Sequence, residues 1–259
     1  MHNIDPVMGR ISKINGSHIL GTVNSSIGDY PFFKIQDGQG KRVVLSAGLH
    51  GNEPAGLFAM LLFFEKYAIK YLDKFEFIAF PCTNPTGLVQ NERCNSGGLN
   101  LNREFKEDTT SQETRFILDE LCGRYCFAMD FHETFPDDLT GDNEPNGDDP
   151  TEFYLWEICE NKSMRVGHKI IENIEGLDFP VCKTPKIYKD INNGGVIWYP
   201  EGSGTPCYTS GSIFDSYLYN NYTDQSFTIE TPRGWDMSKR AIAHVVALLT
   251  ALEEKIRVM

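Results

Sequence analysis

Apolar, β-rich runs recur along this chain with helix-length stretches between them, and no other feature limits the possible folds as much. The runs fall at residues 42–48, 75–81, 127–131, 196–199 and 227–231. Between them, helices are predicted at about 53–72, 111–125, 162–174 and 238–255, with Ser111 as a helix cap. Such alternation implies a mainly parallel sheet covered by helices on both faces. The expected fold is α/β, a three-layer α/β/α sandwich around a mainly parallel mixed sheet, formed as a single domain over residues 1–259. Hydrophobic residues make up 41% of the chain and aromatics 12%, enough for a sizeable core. No internal repeat or low-complexity linker divides it.

Open sheets of this kind gather ligands beyond the carboxyl ends of their strands. The run Val43-Val44-Leu45-Ser46-Ala47-Gly48-Leu49 ends in His50, with Glu53 three residues on. A second run, Phe127-Ala128-Met129-Asp130-Phe131, delivers His132, and Ser226-Phe227-Thr228-Ile229 delivers Glu230 before stopping at Pro232. Two imidazoles and a carboxylate form a ligand set that zinc favours, and a catalytic zinc site leaves a further position open. A carboxylate on a rigid strand can be held within reach of water in that position.

The stretch between these runs adds Asn84-Pro85-Thr86-Gly87, Arg93, Gly98 and Asn100-Leu101-Asn102-Arg103. Taken in order with His50-x-x-Glu53, His132 and Thr228-Ile229-Glu230, these segments resemble the zinc metallocarboxypeptidase family, over about residues 43–232. The chain departs from the family pattern in carrying Asn100 where Asp is usual. The resemblance implies one zinc ion per chain, held by His50, Glu53 and His132. It implies that Glu230 takes a proton from zinc-bound water and passes it to the leaving amine, and that Arg93 stabilises the oxyanion. Asn102 and Arg103 would grip a free carboxylate of the substrate, and Tyr208 corresponds to a mobile tyrosine that caps it. The residue lining the side-chain pocket would be Ile213, Phe214 or Asp215. An Asp there favours basic substrate side chains; an Ile or Phe favours apolar ones.

The implied function is hydrolysis of an amide bond next to a free carboxylate, in a small peptide. The related succinylglutamate desuccinylase and aspartoacylase branch shares the zinc ligands and both arginines, and makes an N-acyl amino acid deacylase the alternative. Those relatives usually carry a β-rich domain after the catalytic Glu, whereas one helix is expected after Glu230. A zinc- or peptide-binding module without catalysis is a third reading, from another class. By analogy, the short chain resembles small bacterial members that trim cell-wall peptides.

The formal net charge of −12 disfavours nucleic acid and anionic membranes as partners. The beginning, Met1-His2-Asn3-Ile4-Asp5-Pro6, shows no secretory pattern, and seven cysteines suggest reduced thiols, so a cytoplasmic location is expected. Cys122 and Cys126 are read as sharing a helix face in the core. The acidic stretch 137–150 lacks the register of an EF-hand and is read as a solvated loop. His2, His18, His168 and His244 have no metal-spaced partners. Oligomeric state is not legible.

Overall fold

The computed structural model describes residues 1–135, 150–188, 190–200 and 211–259. Its centre is an eight-stranded sheet in the order β1-β2-β4-β3-β5-β10-β6-β9. The strands are β1 (Ser17–Ser25), β2 (Gly28–Gly38), β3 (Lys41–Ala47), β4 (Phe75–Phe80), β5 (Phe127–Thr134), β6 (Tyr154–Ile158), β9 (Val196–Tyr199) and β10 (Ser226–Pro232). A separate ribbon pairs β7 (Lys186–Ile187) with β8 (Asp190–Ile191). The pairs β3/β4, β3/β5, β5/β10 and β6/β9 are parallel, and β1/β2, β2/β4 and β6/β10 are antiparallel.

The helices among the described residues are α1 (Asp5–Ile11), α2 (Ala55–Lys66), α3 (Pro85–Gln90), α4 (Gln112–Glu120), α5 (Gly167–Glu175), α6 (Phe214–Asn221) and α7 (Met237–Arg257). Side chains alternate across a strand, so each central strand feeds two cores. Val43, Leu45, Phe127, Met129, Phe131, Phe227 and Ile229 face one way and pack with residues of α2, α5 and α7. Val44, Ile78, Phe80 and Ala128 face the other way, toward Ile117 of α4 and Phe214 and Leu218 of α6. These are the three layers expected from the alternating pattern. No described helix is long and apolar enough to cross a membrane.

Several boundaries differ from expectation, each for a local reason. The helix expected over 53–72 is α2 followed by a 3-10 turn, Ala68–Lys70. That expected over 111–125 stops at Glu120; Ser111 Oγ does accept from the Thr114 N–H at 3.1 Å, but Gly123 enters left-handed backbone at φ 66°. Cys122 and Cys126 therefore share no helix face: Cys122 is exposed, and Cys126 lies half-buried against the core. The six described cysteines form no disulfide with one another. The helix expected over 162–174 splits, because the buried Glu157 carboxylate accepts the N–H groups of Val166 and Gly167, both at 2.9 Å, and fixes the start of α5.

Candidate metal centre and active site

β3, β5 and β10 are neighbours in the sheet, and their carboxyl ends carry the candidate residues side by side. β5 runs two residues past His132, to Thr134, and stays paired with β10 as far as Pro232. In that parallel register Glu230 stands opposite His132. The face of β5 that packs Ala128 against α4 and α6 turns polar toward its end: Asp130, His132 and Thr134 follow at the two-residue spacing of one face. Thr228 and Glu230 extend this polar face on β10.

His50 lies just beyond β3, in the turn that leads to α2, and Glu53 closes that turn through its N–H to the His50 carbonyl at 3.1 Å. Gly51 is required there, since a β-carbon would lie 2.0 Å from the Gly87 carbonyl carbon at the start of α3. Asn84 ties the same region together. Its side-chain oxygen accepts from the Gly87 N–H at 2.8 Å, and its amide donates to the carbonyls of Leu49 and Arg93 at 3.3 and 3.2 Å.

The two carboxylate oxygens of Glu53 each face a different imidazole. His50 Nδ1 lies 2.7 Å from Oε1 and His132 Nδ1 lies 2.8 Å from Oε2, and the two Nδ1 atoms are 3.2 Å apart. All three side chains are buried, and one ligand atom from each falls within 4.8 Å of the others. Outside the cluster, His50 Nε2 meets Asn100 Oδ1 at 3.2 Å, while His132 Nε2 meets the Asp130 carboxylate at 2.7 Å. The Glu133 N–H donates to Glu53 Oε2 at 3.0 Å, and Arg93 Nη1 reaches Glu53 Oε1 at 3.2 Å.

The electrostatics follow this arrangement. Burial and the Arg93 guanidinium push the His50 pKa down to about 3, so that imidazole is neutral. Burial also opposes charge on His132, but Asp130 and Glu53 outweigh it and hold its pKa well above the usual value. Burial favours the neutral acid at Glu53, yet the two histidines keep it well below the ordinary carboxylate range. Burial raises Glu230 to about 8 against the opposing pull of His132.

This donor set fits zinc: two imidazole nitrogens and a carboxylate converge from buried, strand-anchored positions, and each imidazole is held from behind by an acceptor. Among the described residues no other group of three or more His, Cys, Asp or Glu side chains could hold a metal ion.

The remaining candidates are placed as follows. Asn102 lies against the cluster, its Nδ2 3.4 Å from His132 Nε2, and its Oδ1 accepts from the Phe214 N–H at 3.0 Å. Arg103 is adjacent, with Nη1 donating to the Asn102 carbonyl at 2.8 Å. Of the stretch 213–215, Phe214 is in the core, and Asp215 meets the polar face: it accepts from Thr228 Oγ1 and from the Ser216 N–H, both at 2.6 Å. Burial raises its pKa to about 6. Tyr208 and nearly all of the acidic stretch 137–150 lie outside the described residues. Asp130, Glu133, Thr134 and Tyr154 were not singled out from sequence. The signal was there for two of them, since Asp130 and Thr134 stand two residues either side of His132 on a strand and must share its face.

The sheet and the cluster define an α/β fold with a candidate metal site at the carboxyl ends of its central strands. A family model described as the succinylglutamate desuccinylase/aspartoacylase catalytic domain matches residues 39–136. Carboxypeptidase 2 of Trichophyton rubrum is 35% identical over 167 residues, which are 61% of this chain and 29% of that one. The chain thus spans under a third of that curated relative's length. Among solved structures, a candidate metallopeptidase from Shewanella amazonensis superposes with a TM-score of 0.74 at 22% identity, covering 96% of this chain and 90% of that one. A Pseudomonas aeruginosa metallo-carboxypeptidase in complex with (2-guanidinoethylmercapto)succinic acid gives a TM-score of 0.67 at 18% identity, covering 98% and 68%. The chain thus shares its fold with these metallopeptidase structures, and over residues 39–136 its sequence is similar to the desuccinylase/aspartoacylase catalytic domain.

Proposed function

We propose that this protein is a zinc-dependent hydrolase that cleaves an amide bond next to a free carboxylate in a small peptide. The observation that carries the proposal is the convergence of His50, Glu53 and His132, with Glu230 beside His132 in register. A zinc ion in such a three-ligand site supplies a Lewis acid that polarises a carbonyl and acidifies water.

The chain's own residues divide the remaining work. Glu230 accepts a proton from the attacking water as the C–O bond forms, and gives it to the amine nitrogen as the C–N bond breaks. Arg93 has guanidinium donors to offer the oxyanion. Asn102 and Arg103 bind the substrate's carboxylate, the guanidinium matching it as a planar fork. Asp215 on the polar face supports a preference for a basic side chain, which would bring a counter-charge to a buried carboxylate.

The match to the desuccinylase/aspartoacylase domain supports a second reading, deacylation of N-acyl amino acids. One panel decides between the two. Dipeptides and tripeptides ending in Lys, Arg or Leu are assayed beside N-acetyl-aspartate and N-succinyl-glutamate with the zinc-loaded protein. Peptide cleavage supports the carboxypeptidase reading; cleavage of the acylated amino acids alone replaces it with the deacylase.

A further inference from the structure

Glu230 has a second in-register neighbour. Across the antiparallel β6/β10 pair it stands opposite Tyr154, so His132, Glu230 and Tyr154 form one row across three strands. Thr134 completes the group from the end of β5. Its Oγ1 donates to Glu230 Oε2 at 2.9 Å and lies 2.9 Å from the Tyr154 hydroxyl, which in turn lies 3.5 Å from the Tyr188 hydroxyl. Thr134 and Tyr154 are both buried.

A hydroxyl has one proton to give. With Glu230 ionised, the Thr134 proton is committed to Oε2, so Thr134 must accept from Tyr154, and Tyr154 can accept from Tyr188. The direction of the whole chain is then set by the carboxylate. A proton placed on Oε2 and aimed at Thr134 would force the Thr134 hydroxyl to turn away from Oε2, whereas a proton placed on Oε1 leaves every bond as it stands.

We propose that Thr134 and Tyr154 are positioning residues for Glu230: their hydroxyl chain holds Oε2 as a fixed acceptor and reserves Oε1 as the oxygen that exchanges the proton during hydrolysis. This rests on the hydrolase reading of Glu230. It goes beyond that reading in assigning the two carboxylate oxygens different work and in naming the residues that separate them.

The test compares Thr134→Val, Thr134→Ser and Tyr154→Phe in the zinc-loaded protein on the best substrate of the panel. Thr134→Val keeps the shape and removes the donor; it should lower kcat by about tenfold or more, with KM and zinc content unchanged. Thr134→Ser should recover most of the loss, and Tyr154→Phe should show a smaller fall, because Oε2 keeps its direct donor. Parent-level kcat in Thr134→Val, a fall carried by KM, or a Thr134→Ser variant as impaired as Thr134→Val would overturn the proposal.

A second measurement does not depend on turnover. Carbon-13 NMR of labelled glutamate carboxyls in the metal-free protein should show the Glu230 pKa moving up in Thr134→Val and returning toward the parent value in Thr134→Ser. An unmoved Glu230 pKa overturns the positioning. A parent protein that hydrolyses nothing in the panel overturns the functional reading instead, and the carboxyl titration still decides whether the hydroxyl chain holds Glu230.

Discussion

Asp130 binds His132 from behind, its carboxylate 2.7 Å from Nε2, while among the described residues the corresponding atom of His50 meets the neutral amide oxygen of Asn100 at 3.2 Å. The two candidate metal-binding histidines thus receive unequal support, one charged and one not. A carboxylate behind a ligating imidazole fixes its tautomer and raises its basicity. Asp130→Asn should therefore weaken zinc affinity about ten- to a hundredfold. Asn100→Asp should tighten it, because it supplies the missing charge behind His50. Competition with a chelator of known affinity measures both, and an Asp130→Asn protein that binds zinc as tightly as the parent contradicts the argument.

Metal binding and catalysis should separate cleanly by mutation. His132→Ala removes an imidazole from the cluster and should abolish stoichiometric zinc binding. Glu230→Gln should retain zinc and lose about a hundredfold or more in turnover, the usual scale for a positioned general base. Metal analysis alongside single-substrate kinetics reads both variants.

Carboxylate recognition by Asn102 and Arg103 predicts a strong dependence on the substrate's terminus. Amidating the C-terminus of a good peptide should cost roughly 2 to 5 kcal/mol in kcat/KM, because a desolvated guanidinium would be left unpaired. Arg103→Ala should remove most of that difference by slowing the free acid. Equal discrimination in parent and variant would show that another group reads the carboxylate.

The buried pair behind the site should matter for stability. Glu133 accepts the Ala55 N–H at 2.7 Å, at the start of α2, and also binds Arg240 of α7. Arg240→Met removes the nearer of the two arginines that face Glu133, with Arg233 Nη1 remaining at 3.8 Å, and should cost about 1 to 3 kcal/mol in denaturant unfolding.

His244 gives a pH dependence with a definite sign. It is fully buried, with Nε2 3.1 Å from Thr231 Oγ1, and burial lowers its pKa to about 3. The unfolded chain protonates this imidazole near pH 6.5 and the folded one only near 3, so the unfolded state binds the extra proton between those values. Its contribution is intact above pH 6.5 and is lost as pH falls toward 3, with a slope of about 1.4 kcal/mol per pH unit. His244→Gln should flatten the acid side of the metal-free protein's stability profile by that slope. Parallel profiles for parent and variant would rule it out.

The sheet centre was legible because β3, β4, β5 and β10 are apolar enough to announce burial on both faces, and the convergence of His50, Glu53 and His132 was legible because these residues sit where those runs end. The β1/β2 hairpin was not. β1 reads Ser-His-Ile-Leu-Gly-Thr-Val-Asn-Ser with little alternation, and β2 carries Pro31, which argues against a central strand. Pro31 is tolerated because β2 meets β4 only from Ile35 onward, leaving its other edge unpaired at that point. β6 was missed because Glu157 interrupts its apolar run, and four donors from Val166, Gly167, Trp198 and Gln225 satisfy that carboxylate from distant parts of the chain. Thr134 and Tyr154 were invisible for a related reason: what they do depends on strand neighbours, and sequence does not state which strands are neighbours.

The register of β5 against β10 is specified by groups that do no chemistry. Phe127, Met129 and Phe131 must turn toward α2 and α7 together with Phe227 and Ile229, and a slip of one residue would expose all of them on the polar side. Placement of His132 beside Glu230 is therefore enforced from the opposite face of the sheet. Replacing the reactive side chains leaves that enforcement untouched, so this scaffold can exchange its chemistry without relearning how to fold.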